Sequence, residues 1–484
     1  MQIRVLNCLN PILVKTEFEQ TSRAHELRLH GLQESIGQYV HQTPNVFSFF
    51  LPEYSAPGQI TDSSLVSPEA QVMNAPNIVG LLNGMYSIID TGLSQCFGGF
   101  GGRAINNCNT LAQNPSNGAH GLITYQPTGT TAEGIVDELA LLLTGGKLNS
   151  ASRTLIQNAY TTETAANGAA SGLRYAQKLM IATPEYHSTN AVSEKGEDRP
   201  DPPDPQPSTK EYKAIVFVNL HGGMDGFQML VPMDGCTNPS SGQSYDLYDN
   251  YKKARGEIAL IKGTLKPITV SNQVCTQFGL HSKLGDVQTL YNDKDLSFIA
   301  NMGILQQSGV TKDNWRTLHD KTALFAHNTQ TEETANIDVY DTYAGIGICG
   351  RIIDELTKTG YNTGAISVSG AAPPMVSKST PLLVVNPFGY AKFHPNTRAK
   401  DVTADAKKVN GASNAGSTFY GEAWSDTLLR ALSENALLFE KYNAASPGAT
   451  FENTSFGRQL SAVSKLITTK DDRGKDRDVF FLER

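Results

Sequence analysis

Apolar positions in the first 190 residues recur with the spacing of helices. Leu29, Leu32, Ile36 and Tyr39 form a 3.6-residue stripe that predicts an amphipathic helix within residues 17–40. The aromatic, proline-broken run NVFSFFLPEYSAPGQ predicts an irregular segment packed by its rings. Ser67-Pro68-Glu69 then supplies a cap residue, a first-turn proline and a first-turn acid for a helix continued by Ile78, Leu81, Leu82, Met85 and Ile89. Thr130 to Glu133 reads as a capping box opening a helix through Ile135, Leu139 and Leu142, which Gly145-Gly146 ends. Leu173, Ala176 and Met180 mark a further helix, closed off by Pro184. His25, His30 and His41 lack the spacing of a metal pair and read as surface or core histidines.

The pattern changes after residues 193–211, which hold five prolines between positions 200 and 207 and many charges. Such a stretch predicts an extended, solvated spacer at which core formation stops. Beyond it, short apolar runs alternate with helical periodicity. Ala214 to Leu220 is an unbroken β-branched and aromatic run, read as a strand buried on both faces of a sheet. Leu284, Val287 and Leu290 mark a short helix, LSFIANM (296–302) another strand, and 365–370 and 382–386 two more. Residues 422–441 and 455–468 read as helices, and DVFFL near the end as a last buried strand. The prediction is two domains: a mostly α-helical one over 1–192, the spacer over 193–211, and an α/β domain with a largely parallel sheet over 212–484.

Composition narrows the function classes. A chain of 484 residues with 39% hydrophobic and 18% charged residues is ordinary globular material. The formal net charge of −7 and the lack of a basic block argue against nucleic acid and anionic membranes as partners. No run reaches the ~18 apolar residues of a transmembrane helix, and the opening residues do not form a secretory signal. Six cysteines are scattered without a CxxC pair, which is not a zinc pattern. Cys96 and Cys108 bracket a glycine-rich loop that they could bridge in an oxidising compartment.

Chemistry concentrates where the 214–220 run ends, at His221-Gly222-Gly223-Met224-Asp225-Gly226. The glycines free the backbone, and an imidazole and a carboxylate stand at a strand's carboxyl end, where open α/β sheets bind ligands. The competing reading is a tight strand exit with a capping Asp. A second cluster is Ala326-His327-Asn328-Thr329-Gln330, and His281 precedes a helix in a capping or packing position.

Two stretches resemble known families. NVFSFFLPEYSAPG, LVSPEAQ, DELALLLTGGKLNSASRTLI and LMIATPEYH, in that order, resemble the C-terminal part of domain of unknown function 1800 over roughly residues 10–190. That resemblance implies a helical architecture, no established activity, and a start inside a domain. AIVFVNLHGGMDGFQMLVP, FGLHSKLGDVQTLYNDKDLSFIANMG, ALFAHNTQ, GICGRIIDEL, AISVSG and RQLSAVSKLI…RDVFFL resemble domain of unknown function 1501 over about 212–484. This second family belongs to the alkaline phosphatase/sulfatase superfamily. Its likeness implies that Asp225 is a metal ligand, with His221 beside it in a binding role. The implied cofactor is a divalent ion (Zn, Mn, Mg or Ca), and the implied substrate a small-molecule or glycan ester. Relatives look exported.

In those relatives the second cluster reads Phe-Ser-His-Asn-Asp-Gln. The resemblance therefore implies His327 as a catalytic residue and Asn328 and Gln330 as orienting binding groups. Ala326 replaces the hydroxyl, and a methyl group cannot act as a nucleophile. The last strand of relatives continues into Gly-Gly-Phe-Asp-Thr-His, whereas here Leu482 is followed by Glu483-Arg484. This predicts a fragment with an unpaired sheet edge. Two functions follow: a metal-dependent phosphate or sulfate ester hydrolase scaffold, inactive in this chain, or a non-catalytic binding or surface protein on that degenerate scaffold.

Overall fold

The computed structural model describes residues 29–484 except 42, 44–48, 51, 53, 57–58, 102–106, 110–124, 189–204, 206–209, 221, 223–224, 301, 304–307, 312, 319–333, 336–345, 371, 390–391, 396–399 and 412–417. The chain forms two compact units, one of residues 1–218 and 305–483, the other of 219–304 with Arg484.

Helices open the larger unit: α1 (His30–Ile36), α2 (Ala75–Thr91), α3 (Ala132–Thr144), α4 (Ser150–Asn167), α5 (Ala169–Ala182) and α6 (Pro184–His187). The predicted helix within 17–40 is seen as α1 alone, with residues 17–28 outside the described ones. Gly37, at φ +65°, follows α1, so Tyr39 falls beyond the helix and is exposed rather than continuing the stripe. α2 starts where the Asn74 side chain accepts from the Asn77 N–H. It is buried almost all round, as a central helix must be. The cap of α3 sits one residue later than the sequence predicts: Thr131, not Thr130, accepts from the Gly134 N–H. With two threonines in a row, only the second places its hydroxyl over the first free amides. Gly145, left-handed at φ 64°, ends α3 as expected.

The first strand, β1 (Lys213–Asn219), follows the spacer. In the smaller unit, β2 (Leu230–Asp234), α7 (Leu247–Arg255), β3 (Lys266–Thr269), β4 (Gln277–Leu280) and α8 (Gly285–Asn292) come next. Back in the larger unit lie α9 (Ile348–Lys358), β5 (Thr363–Ser367), β6 (Leu382–Val384), α10 (Thr403–Gly411), α11 (Phe419–Ala444), α12 (Ser455–Thr468) and β7 (Arg477–Glu483).

A four-stranded sheet has the order β1-β7-β5-β6, and β5 pairs in parallel with both β6 and β7. Strand side chains alternate faces. Phe480 and Leu482 of β7 therefore meet Leu438 and Tyr442 of α11 and Leu466 of α12, while Val479 and Phe481 meet Ile353 of α9. Two sequence expectations give way here. β1 forms, but at the sheet edge, with Ile215, Val216 and Val218 exposed; the strands with buried runs are β5 and β7. Residues 296–300 carry no strand, and Ile299 and Met302 are exposed. The excursion after β1 instead builds an antiparallel sheet, β2-β4-β3, which the sequence pattern did not reveal.

Packing also departs from the expectation that core formation stops at 193–211, a stretch lying largely outside the described residues. One apolar core takes Ile78, Leu82, Leu139, Ile156 and Leu179 together with Phe393, Val402, Trp424, Leu428 and Leu432. The reason is α11, whose residues 424, 428, 431 and 432 follow helical spacing and face α2 and α6, while its later turns cover the sheet. At the junction the Ala182 carbonyl accepts from Trp424 Nε1 (3.0 Å) and Asn410 Nδ2 (2.9 Å), and the His187 ring stacks on Trp424 with centroids 3.3 Å apart. Asn83 spans the same boundary, donating to the Lys392 carbonyl and accepting from the His394 N–H, both at 2.8 Å. A covalent loop contact contrasts with these spatial ones: Cys96 and Cys108 are bonded, the bridge the sequence allowed.

Candidate functional site

The smaller unit carries the predicted metal residue. Asp225 precedes a short 3₁₀ turn, Gly226–Gln228, and its Oδ1 accepts from the Phe227 N–H at 3.2 Å. Its Oδ2 forms an ion pair with Arg255 at the end of α7. The Arg255 guanidinium also lies over the Phe227 ring, 5.6 Å from its centroid. Asp225 thus caps the 3₁₀ turn that follows it and pairs with the end of α7. His281 behaves similarly: its Nδ1 accepts from the Lys283 N–H at 3.1 Å, and its own N–H donates to the Met229 carbonyl.

A hard dication needs several oxygen or nitrogen ligands converging from separate loops. Among the described residues no group of three or more His, Cys, Asp or Glu side chains is placed to hold a metal. Beside Asp225 stands a guanidinium, which repels a cation, so the described groups around this carboxylate do not fit a metal centre. His221, His327, Asn328 and Gln330 lie outside the described residues, as do Ala326 and Thr329.

In the larger unit, the carboxyl end of the parallel sheet holds polar groups that satisfy one another. Ser369 Oγ donates to Gln459 Oε1 (2.8 Å) and accepts from the Glu483 N–H (3.0 Å), while Gln459 Nε2 donates to the Glu483 carbonyl (3.0 Å). These bonds latch α12 and β7 together and leave little donor capacity for a ligand.

A concave site with convergent charges lies elsewhere in that unit, and the sequence reading missed it. A cavity of about 270 Å³ is lined by Leu155, Ala159 and Glu163 of α4, Tyr175 of α5, Lys400, and Asp405 and Lys408 of α10. Glu163 continues the buried face of α4 set by Ile156 and Tyr160. A carboxylate on an apolar stripe was the legible signal. Its Oε1 accepts from Ser171 Oγ (2.6 Å), Asn167 Nδ2 (2.9 Å) and the Lys400 N–H (3.4 Å). Burial works against its charge, but these hydrogen bonds outweigh burial and hold its pKa below the ordinary value. Tyr175 OH donates to Asp405 Oδ2 (2.8 Å), and Lys408 Nζ donates to Asp405 Oδ1 (3.0 Å). Burial first, and then the Asp405 contact, push the Tyr175 phenol up, so it remains a donor at neutral pH.

No family model, no curated protein and no solved structure matches this chain.

Proposed function

We propose that this chain is a non-catalytic binding or surface-associated protein on the scaffold of a metal-dependent phosphate or sulfate ester hydrolase. The scaffold rests on the ordered resemblance of residues 212–484 to domain of unknown function 1501. The loss of chemistry rests on one observation above all: the Asp225 carboxylate is divided between the Phe227 N–H and the Arg255 guanidinium. To serve a dication it would have to release Arg255 and then tolerate that cation beside the metal. Ala326 adds to the reading, since it removes the hydroxyl that relatives carry beside the histidine matching His327. The two bonded cysteine pairs, Cys96–Cys108 and Cys236–Cys275, favour folding in an oxidising compartment, in keeping with the exported relatives.

The test is turnover of an aryl phosphate and an aryl sulfate by the purified chain with added Mn²⁺ or Zn²⁺. The expected result is no turnover above the metal-only rate. Turnover that disappears in Asp225→Ala would overturn the proposal and restore the hydrolase reading.

A further inference from the structure

The cavity between α4, α5 and α10 belongs to none of the chemistry considered above. Its charges balance: Glu163 and Asp405 oppose Lys400 and Lys408. Asp405 and Lys408 engage each other, and Tyr175 fixes Asp405 further, so these groups form a wall. The other two are unspent. Glu163 is 2% exposed, and all three of its hydrogen bonds fall on Oε1; its Oε2 has no hydrogen-bond partner among the described residues. The Lys400 ammonium likewise makes no ion pair or hydrogen bond among the described residues, although its charge acts on Glu163 and Asp405. Glu163 Oε2 thus keeps an open acceptor at a cavity that Lys400, whose cation lies close enough to act on the Glu163 charge, also lines. Leu155 and Ala159 give the cavity an apolar part.

We propose that this cavity binds a zwitterionic α-amino acid with an apolar side chain. The ligand ammonium donates to Glu163 Oε2, its carboxylate accepts from Lys400 Nζ, and its side chain lies against Leu155 and Ala159. A simple anion would satisfy Lys400 but face the Glu163 charge; a simple cation would do the reverse. A ligand with both charges satisfies both residues and leaves the net charge of the cavity at zero. The volume, about 270 Å³ and just below the roughly 300–1,000 Å³ of small-molecule sites, suits one amino acid rather than a peptide. This proposal stands apart from the reading of Asp225 and survives its failure.

Titration calorimetry on the full chain with L-leucine, 4-methylpentanoate and 3-methylbutylamine separates the alternatives. Leucine should bind, and each analogue, lacking one charge-assisted hydrogen bond, should bind about tenfold or more weakly. Glu163→Gln keeps an acceptor for Ser171 and Asn167, and Lys400→Met alters an exposed residue. Each should abolish leucine binding while leaving the melting temperature of the free protein close to wild type. If Glu163→Gln does not fold, Lys400→Met alone decides. Absence of leucine binding, equal binding of the three compounds, or unchanged binding in the Lys400 variant would overturn the proposal.

Discussion

Trp424 is the place to ask whether the helical half and the sheet-bearing half share one core. The side chain is 1% exposed, donates to the Ala182 carbonyl at 3.0 Å and stacks on His187. A buried tryptophan removes about 150–250 Å² from water, which at ~25 cal/mol per Å² is about 4–6 kcal/mol. Large-to-small series give about 3–5 kcal/mol for Trp to Ala. Trp424→Ala should therefore cost about 4–5 kcal/mol. Trp424→Phe retains most of the packing and loses the N–H donor. Because Asn410 still donates to the same carbonyl, that change should cost only about 1–2 kcal/mol. The assay is urea unfolding of the full chain followed by far-ultraviolet circular dichroism, which reports the helices of both halves. Hydrogen exchange at α2 and α5 amides localises the effect. With a shared core, Trp424→Ala lowers protection in α2 and α5, although both precede the proline-rich spacer. Unchanged protection there, or a loss below about 1 kcal/mol, would refute a core that crosses residues 193–211.

Two further outcomes follow from particular groups. His187, whose Nε2 donates to the Ile181 carbonyl at 2.8 Å, has its pKa pushed down by burial to about 3. Below about pH 6.5 the unfolded imidazole takes a proton that the native one refuses, so its contribution is present above pH 6.5 and is lost as pH falls toward 3, by up to about 1.4 kcal/mol per pH unit; His187→Gln should flatten that slope in urea titrations, and an unchanged slope would exclude His187 as its source. The Cys236–Cys275 bridge closes a loop with a sequence separation of 39 over a small core of Val231, Leu265, Ile268 and Leu280; replacing both cysteines by serine should cost about 3–4 kcal/mol and deprotect the β2 and β4 amides while β5 stays protected, and protection retained in β4 would count against the assignment.

Much of the helical architecture was legible because α2, α3 and α5 bury stripes long enough for a 3.6-residue period to stand out. α11 and α12 were equally clear, the latter with the boundaries 455–468 found in the structure. The failures have physical causes. An apolar run such as 214–220 carries strand propensity but not its rank in the sheet, so β1 is at the edge while β7, of similar composition, is central. β3 and β4 have four residues each, with Pro267 and Gly279 among them, and such strands leave almost no periodic signal. The role of Asp225 turned on Arg255, thirty residues away in sequence, which no local motif records. The cavity was harder still: Glu163 and Lys400 stand on opposite sides of the spacer, and only tertiary packing makes them neighbours.

Helix α11 has a consequence for the order of events during synthesis. The helices up to His187 form early, yet the side chains that complete their core, Trp424 to Leu432, are translated only ~240 residues later, a delay of roughly 12–50 s at typical rates of chain growth. Through that interval the apolar residues that Trp424 to Leu432 cover in the folded protein have no partner from α11. It is the window in which a chaperone would be needed, and in which a stalled ribosome would release an adhesive product.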